Sequence, residues 1–417
     1  MTYAAAVLAL LIVLAPPARA QEPSAVETVV DIRVHGNHTT PDAEIIRIAG
    51  VSTGTPLSPS LITDVEGRLR QSGRFRSIEV RKRYQSIEDA NAILLIILVE
   101  EQPGVSESIR RPGVLRRMRA GTMWLPVLTA EDGYGLTYGA RVSLVDAVGR
   151  HTRLSVPLTW GGERRASVEV ERRFTHGPLT RLTADAGITQ REHPGLDLSD
   201  RRTGVGVRAE RALSSWFRLG GQARLSDVRF GDTDDRLRTV GVEATLDTRR
   251  DPAFPRNAVY ASATVERLWF EHSDATGRVL TDVRGYVGIV RQVVFVARLQ
   301  QAWAADALPQ FEQPLLGGAA SLRGFRLGYR MGDRLVAASA EVRMPINSPL
   351  RIARTGVALF TDAGTVYGAD ERLADARWDK SVGAGAFITA PMVSLRFDVA
   401  HGLDAGTRAH FTLAFAF

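Results

Sequence analysis

The stretch VSLRFDVA, residues 393–400, sets Val393, Leu395, Phe397 and Val399 on one face of an extended chain and Ser394, Arg396 and Asp398 on the other. The same period of two recurs far from it. Leu154, Val156, Leu158 and Trp160 oppose Arg153, Ser155 and Thr159. Leu182, Ala184, Ala186 and Ile188 oppose Arg181, Thr183, Asp185 and Thr189, and Phe411, Leu413, Phe415 and Phe417 oppose His410, Thr412, Ala414 and Ala416. Turn residues such as Gly161-Gly162 and Gly231-Asp232 separate the segments. Segments of this kind begin near residues 117, 133, 152, 164, 180, 202, 217, 237, 258, 278, 293, 333, 354, 380, 392 and 408, sixteen in all. A soluble β-sandwich or propeller would have to solvate every face that carries Arg, Asp or Glu. A closed barrel with a wet lumen takes all of them inside and turns the apolar face to lipid. About ten residues rising ~3.3 Å each at a ~45° tilt span ~23 Å, close to the apolar band of an outer-membrane barrel, and an even strand count suits one. The expected fold is mainly β, with a 16-stranded antiparallel transmembrane β-barrel over residues 117–417.

Composition narrows the chemistry. The 417 residues are 44% hydrophobic and 24% charged, which suits a folded chain. A mean hydropathy of −0.07 excludes a bundle of transmembrane helices. Cysteine is absent, so disulfides, thiolate nucleophiles and cysteine-ligated metals are excluded. The formal net charge is +7, supplied by Arg; Lys82 and Lys380 are the two lysines. Taken alone, that charge would suit a nucleic-acid binder.

The N-terminal residues differ in kind from the alternating segments. Residues Ala4 to Ala15 form an apolar run too short to span a bilayer. Pro16-Pro17 breaks it, and Ala18-Arg19-Ala20 is a small-x-small site, so residues 1–20 are expected to be a secretory signal peptide. Export argues against nucleic-acid partners. Residues 21–103 are expected to form one small α+β domain. Val30, Ile32 and Val34 alternate in a strand, and Gly36-Asn37 ends it. Pro41 with Asp42 and Glu44 opens a helix that Gly50 stops. Ser58 is the expected cap of a second helix, where Leu61, Val65 and Leu69 make one apolar stripe before Gly73. Ile78 to Tyr84 and Ala92 to Val99 are two further strands, the last apolar on both faces and so expected to be buried. Residues 21–103 carry nine basic and twelve acidic side chains, so the positive excess lies in the barrel part; residues 104–116 read as a linker.

The order strand, helix, helix, strand, strand, with Gly36-Asn37 after the first strand and SGRF (72–75) before the second, resembles a POTRA domain. That resemblance implies a periplasmic module that binds extended clients by adding a strand to its sheet edge, where unpaired N–H and C=O groups are on offer. Further on, the longest stretch without a strand pattern, roughly 304 to 332, contains LLGGAASLRGFRLGYR (315–330). Its Leu322-Arg323-Gly324-Phe325 matches the aliphatic-Arg-Gly-aromatic motif of the POTRA-plus-barrel superfamily, the bacterial surface antigen family with its BamA/TamA-type assembly factors and two-partner secretion transporters. Phe360, Asp362 and Gly364 match the family's F-x-D-x-G. The resemblance implies that the loop folds into the lumen and that Arg323 pairs with wall acids, for which Glu341 and Asp362 are the candidates. A guanidinium cannot lose its proton, and its planar fork matches carboxylates. Asp247, Thr248, Arg249 and Pro255 resemble the family's turn before a central strand, with Asn257 where Gly is usual; Asn tolerates a left-handed φ. A terminal Phe417 resembles the signature of outer-membrane clients. Family members of the BamA type carry several POTRA modules, whereas this chain carries one.

Gly133-Tyr134-Gly135 and Gly383-Ala384-Gly385 lie in strand patterns without a Walker Lys, and His35 with His38 lacks a third metal ligand. No G-x-S-x-G elbow occurs. The expectation is therefore a non-enzyme without cofactor or metal. It would sit in the outer membrane of a Gram-negative bacterium and assemble, insert or translocate polypeptides. Its partners would be unfolded outer-membrane or secreted clients, membrane lipid and lipopolysaccharide, and periplasmic accessory proteins. The alternative is a passive outer-membrane channel or porin.

Overall fold

A computed structural model describes residues 27–85, 91–102, 105, 121–146, 149, 151–346, 353–390 and 393–415. The expected signal peptide, the linker apart from Val105, the strand start at 117 and Phe417 lie outside the described residues. Two compact units divide at residues 120 and 121.

In the first unit, β1 (Thr28–His35), α1 (Asp42–Ala49), α2 (Leu61–Ser72), β2 (Phe75–Tyr84) and β3 (Ala92–Glu101) follow the expected order. The sheet order is β1-β3-β2, with β3 parallel to β1 and antiparallel to β2. Its core is Val29, Ile45, Val65, Leu69, Leu95 and Ile97, all with no accessible surface. Only one face of β3 is fully covered: Ile93, Leu95 and Ile97 are buried, whereas Leu94, Ile96 and Leu98 keep partial exposure. Gly50 and Gly73 end the helices in left-handed conformations, with φ of 61° and 68°. Ser58 is not the cap of α2. The helix starts at Leu61 after Ser60, and Ser58 contributes its carbonyl, which accepts from the Leu61 N–H.

The second unit is a closed barrel of sixteen strands. They are β4 (Thr122–Glu131), β5 (Gly135–Val145), β6 (Thr152–Gly161), β7 (Glu163–Arg173), β8 (Arg181–His193), β9 (Leu198–Ala212), β10 (Phe217–Phe230), β11 (Thr233–Asp247), β12 (Ala258–Trp269), β13 (Thr276–Gly288) and β14 (Val294–Ala304), then, after the long loop, β17 (Arg334–Ile346), β18 (Arg354–Tyr367), β19 (Asp379–Thr389), β20 (Val393–Gly402) and β21 (Gly406–Phe415). The loop itself holds the short strands β15 (Leu315–Leu316) and β16 (Arg330–Met331) and the helical turn α3 (Gly318–Ser321). Every neighbouring pair around the barrel is antiparallel. Strands β9 and β11 reach 15 residues, longer than the ten of the sequence pattern, because polar residues extend them beyond the apolar band. Pro157 interrupts the β6–β7 ladder between Ser155↔Glu169 and Leu158↔Ala166, since it has no N–H to donate.

The alternation places side chains as the pattern requires. Val242 is 63% and Leu359 55% exposed on the outer face, whereas Glu266 and Asp362 point inward and are buried. Trp124, Trp160 and Trp269 are exposed on the outside; Trp303 is instead covered by the Arg334 guanidinium, 5.1 Å from its ring centre. No helix among the described residues is long and apolar enough to cross a membrane.

Candidate functional site

The loop between β14 and β17 folds into the barrel. Apolar residues hold it there: Leu316, Leu322 and Phe325 are buried against Leu335, Ala337 and Val366 of the wall. β15 and β16 pair as a small ribbon, Leu315↔Met331 and Leu316↔Arg330. Gly317, Gly318 and Gly328 take positive φ and let the chain reverse.

Arg323 is buried and fully engaged. Its Nε and Nη2 donate to the two carboxylate oxygens of Asp362 at 3.0 and 2.6 Å, and its backbone N–H donates to Asp362 Oδ2 at 3.1 Å. Nη1 donates to Glu341 Oε2 at 2.7 Å, and Nη2 also reaches Ser339 Oγ at 3.0 Å. The guanidinium stacks 3.3 Å above the centre of the Phe360 ring. Thus Phe360 and Asp362, adjacent inward positions of β18, serve the two faces of one cation: the ring its plane, the carboxylate its edge.

Two further arginines complete the cluster. Arg396 donates through both Nη atoms to Glu341, at 3.0 and 2.7 Å, and through Nε to Asp398 at 2.7 Å. Arg343 Nε donates to Glu341 at 2.6 Å. Three guanidinium groups therefore meet three carboxylates, those of Glu341, Asp362 and Asp398, beside a water-accessible cavity of about 470 Å³. His410 of β21 directs Nε2 to the Arg323 carbonyl oxygen, and its Nδ1 lies 3.0 Å from Asp132 in the β4–β5 turn. The motif loop is thereby tied to β21, the last strand of the barrel.

Gly324 is required by close approach. A Cβ there would stand 2.5 Å from the Gly402 nitrogen and 2.6 Å from Ser381 Cβ. Phe325 stacks on Tyr329 with ring centres 4.7 Å apart. Gly364 leaves room for Leu316, whose Cδ1 would lie 2.7 Å from an added Cβ.

A second tether has the opposite charge sense. Glu312 of the loop accepts from Arg202 of β9 and Arg278 of β13, both at 2.7 Å, and Arg202 also donates to the Phe311 carbonyl. Next to it lies a water-accessible cavity of about 930 Å³ lined by Arg165, Arg181, Arg191, Arg208 and Arg224 with Asp185, Glu210 and other acids.

The turn motif stands apart from the loop. Arg249 pairs with Asp247 at 2.8 and 2.9 Å and stacks 4.5 Å from the Tyr260 ring centre, while Thr248 bonds to Val259 in both directions. Pro255 is buried, and Asn257 has φ +48° with its Oδ1 accepting from the Gly288 N–H. Its geometry closes a β11–β12 hairpin. Sequence reasoning named Glu341 and Asp362 but not Arg396, Asp398, His410 or Glu312 as partners of the loop. Arg396, Asp398 and His410 were visible as inward positions of an alternating strand; their meeting depends on barrel closure.

The seam between β21 and β4 differs from every other junction. Among the described residues the two strands pair only at Leu413↔Ala130, whereas β4 and β5 pair from Thr122↔Leu144 to Glu131↔Gly135.

Residues 138–417 match the family profile described as "Omp85 superfamily domain", and residues 27–102 match "Surface antigen variable number repeat", a POTRA family. No curated protein sequence matches the chain. Among solved structures the chain is similar to BamA from Haemophilus ducreyi lacking POTRA domains 1-3, with TM-score 0.63, 16% identity, and 93% of this chain and 83% of that one covered. It is also similar to CdiB from Acinetobacter baumannii (TM-score 0.52, 12% identity, 94% and 74% covered) and to CdiB from Escherichia coli (TM-score 0.51, 14% identity, 97% and 93% covered). At these identities the likeness is one of fold. With a single module before a sixteen-stranded barrel, and a profile match over most of its length, this chain belongs to the Omp85 superfamily.

Proposed function

We propose that the protein inserts or translocates polypeptides at the outer membrane, with its N-terminal module in the periplasm. The observation that carries this reading is the β4–β21 seam, joined among the described residues by Leu413↔Ala130 alone in a barrel whose other ladders are long. Each edge strand there offers backbone N–H and C=O groups that a client strand can take. Pro126 in β4 adds to this, since it cannot donate to a ladder. The module supplies a second edge. β1 is covered at its start by residues Gly54 to Leu57, which bond to Glu27 and Val29, whereas β2 pairs only with β3 among the described residues. An extended client adding to β2 is captured by main-chain bonds and passed on to the seam.

The test is a disulfide between Ala130→Cys and Leu413→Cys, in a chain with no other cysteine. A barrel locked this way is expected to stay folded and to stop assembling clients; reduction restores activity. Unimpaired assembly with the bond formed would sink the seam mechanism. The cavity beside Glu312 favours a second reading, a passive channel. That reading expects steady conductance in planar bilayers unaffected by Arg323→Ala.

A further inference from the structure

The outer face of β9–β12 carries a feature that neither the seam nor the loop uses. Arg201 of β9, Arg229 of β10, Arg236 and Arg238 of β11 and Arg267 of β12 are all exposed and alternate with inward side chains such as Arg202, Val228, Leu237 and Leu268. All lie near the ends of their strands on the side where the β14–β17 loop emerges. Neighbouring positions on the same outward face are apolar: Val205, Val207, Leu225, Val240, Val242 and Val265. The arginines start level on β9 and β10 and are offset by two residues from β10 to β11 and again from β11 to β12. Arg201 pairs with Arg229, Asp227 with Arg236, Leu225 with Arg238 and Val240 with Arg267. Strands of such barrels tilt by ~35–45°, so a diagonal across the ladder makes a level belt above the apolar band.

The belt is not electrically satisfied. Asp234 pairs with Arg229 at 2.7 Å and Asp227 with Arg236 at 2.8 Å, but Arg201, Arg238 and Arg267 have no hydrogen bond or ion pair among the described residues. Arg201 and Arg229 stand directly opposite each other, an arrangement of like charges that destabilises a sheet. A groove of about 510 Å³ opens between them, with mixed charge: Arg201, Arg229, Arg236 and His272 line it together with Asp227, Asp234, Asp235 and Glu271, so an anionic group falls to its Arg201 edge and to Arg238 and Arg267 outside it. On β5 and β6 the outward positions at the same end are instead Leu136, Tyr138 and Trp160.

We propose that this belt binds the phosphorylated headgroup of an outer-leaflet lipid, whose acyl chains lie on the valines and Leu225 below. The phosphate oxygens bridge Arg201 and Arg229 and engage Arg238 and Arg267 as guanidinium forks do. The inference rests on the membrane orientation given above, with the module side periplasmic; it does not depend on any client.

The test is native mass spectrometry of the full detergent-solubilised chain with diphosphorylated lipid A. Each arginine near an anionic lipid surface contributes roughly fivefold, so Arg201→Ala/Arg238→Ala/Arg267→Ala is expected to weaken binding about a hundredfold. The outward pair Arg172→Ala/Lys380→Ala, elsewhere on the barrel, is expected to leave it unchanged. Excess inorganic phosphate should not displace the lipid. Equal binding by the triple variant, an equal loss in the control, or displacement by free phosphate would each overturn the proposal. Should the triple variant not fold, the three single variants give the same answer at roughly fivefold each. Client crosslinking is a separate readout. Capture that persists without lipid binding breaks this inference alone, and lipid binding without capture breaks the functional reading alone.

Discussion

The two units of this chain are built inside out relative to each other. In the module, Val29, Ile45, Val65 and Leu95 are inside and Arg47 and Arg81 are in water. In the barrel, Arg323, Glu341, Asp362 and Asp398 are inside, while Val242, Leu359 and Trp124 are outside. Overall composition is blind to this reversal, because near-neutral hydropathy results from either arrangement. Periodicity is not blind to it. A helical stripe such as Leu61, Val65 and Leu69 needs an apolar partner, whereas a period of two with Arg and Asp on one face needs a wet interior. The energetics also invert. Apolar burial holds the module, and its loss scales with the cavity created. Within the barrel, buried guanidinium and carboxylate groups hold the loop, and loss of one partner strands another charge.

The largest effect should therefore follow from Arg323→Ala. It leaves the buried Asp362 carboxylate without a charged partner, kept only by the Ser381 hydroxyl and the backbone N–H of residue 323, and should cost about 3–5 kcal/mol of loop anchoring. Urea titration of barrel unfolding, followed by heat-dependent gel mobility, would measure it. Arg323→Glu should be worse, and Asp362→Arg in the same chain should partly restore it; additive effects in that cycle would mean the pair is not coupled. In the module the matching change is apolar. Leu95→Ala should cost about 2–5 kcal/mol there and leave barrel unfolding untouched. A barrel transition that moves with Leu95→Ala would show that the two interiors are not independent.

Gly324→Ala probes packing without altering charge. The new Cβ would stand 2.5 Å from the Gly402 nitrogen, so the loop or the end of β20 must shift to make room; the expected cost is about 1–3 kcal/mol. Glu312→Gln should cost less, about 1 kcal/mol, because Arg202 keeps Asp200 and the Phe311 carbonyl and Arg278 keeps Glu266. High salt should shrink the Glu312 effect more than the Arg323 effect, since the former borders a cavity of about 930 Å³ and the latter one of about 470 Å³. Equal salt sensitivity would remove the distinction between the two tethers.

The strand ladder was legible from alternation alone, and the fourteen expected starts that fall on described residues lie within about four residues of those observed. Glu341 and Asp362 were legible because they lie on inward positions and a motif pointed to them. Arg396, Asp398 and His410 were equally inward, yet nothing local says that β20 and β21 come round beside β17 and β18. That is fixed by the shear of the closed barrel, a property of all sixteen strands together. Glu312 was hidden for a different reason. It lies in a loop without periodicity, and its partners Arg202 and Arg278 are more than thirty residues away. Ser58 misled because Ser before Pro is a sound cap signal, while the chain spends two more residues in a turn before Leu61.

The smallest expected effect lies at an acid of the module. Glu101, at the end of β3, accepts from the backbone N–H groups of Thr39 and Thr40 at 2.9 and 2.6 Å and so fixes the turn between β1 and α1. Partial burial alone would push its carboxyl up, but the hydrogen bonds from Thr40, Thr39 and His38 outweigh it and hold the group below its ordinary value. A depressed folded value means that the carboxylate stabilises the module above its unfolded pKa, about 4.3, and that this contribution is lost as pH falls through the folded value. The protection factors of the Thr39 and Thr40 amides in the full chain, each taken relative to the intrinsic exchange rate at the same pH, should therefore fall on acidification below about pH 4, by at most about 1 kcal/mol. Glu101→Gln should exchange faster at neutral pH and lose that acid limb. If the variant keeps the same limb, another group sets the acid response, and the module's fastening is apolar even at its polar edge.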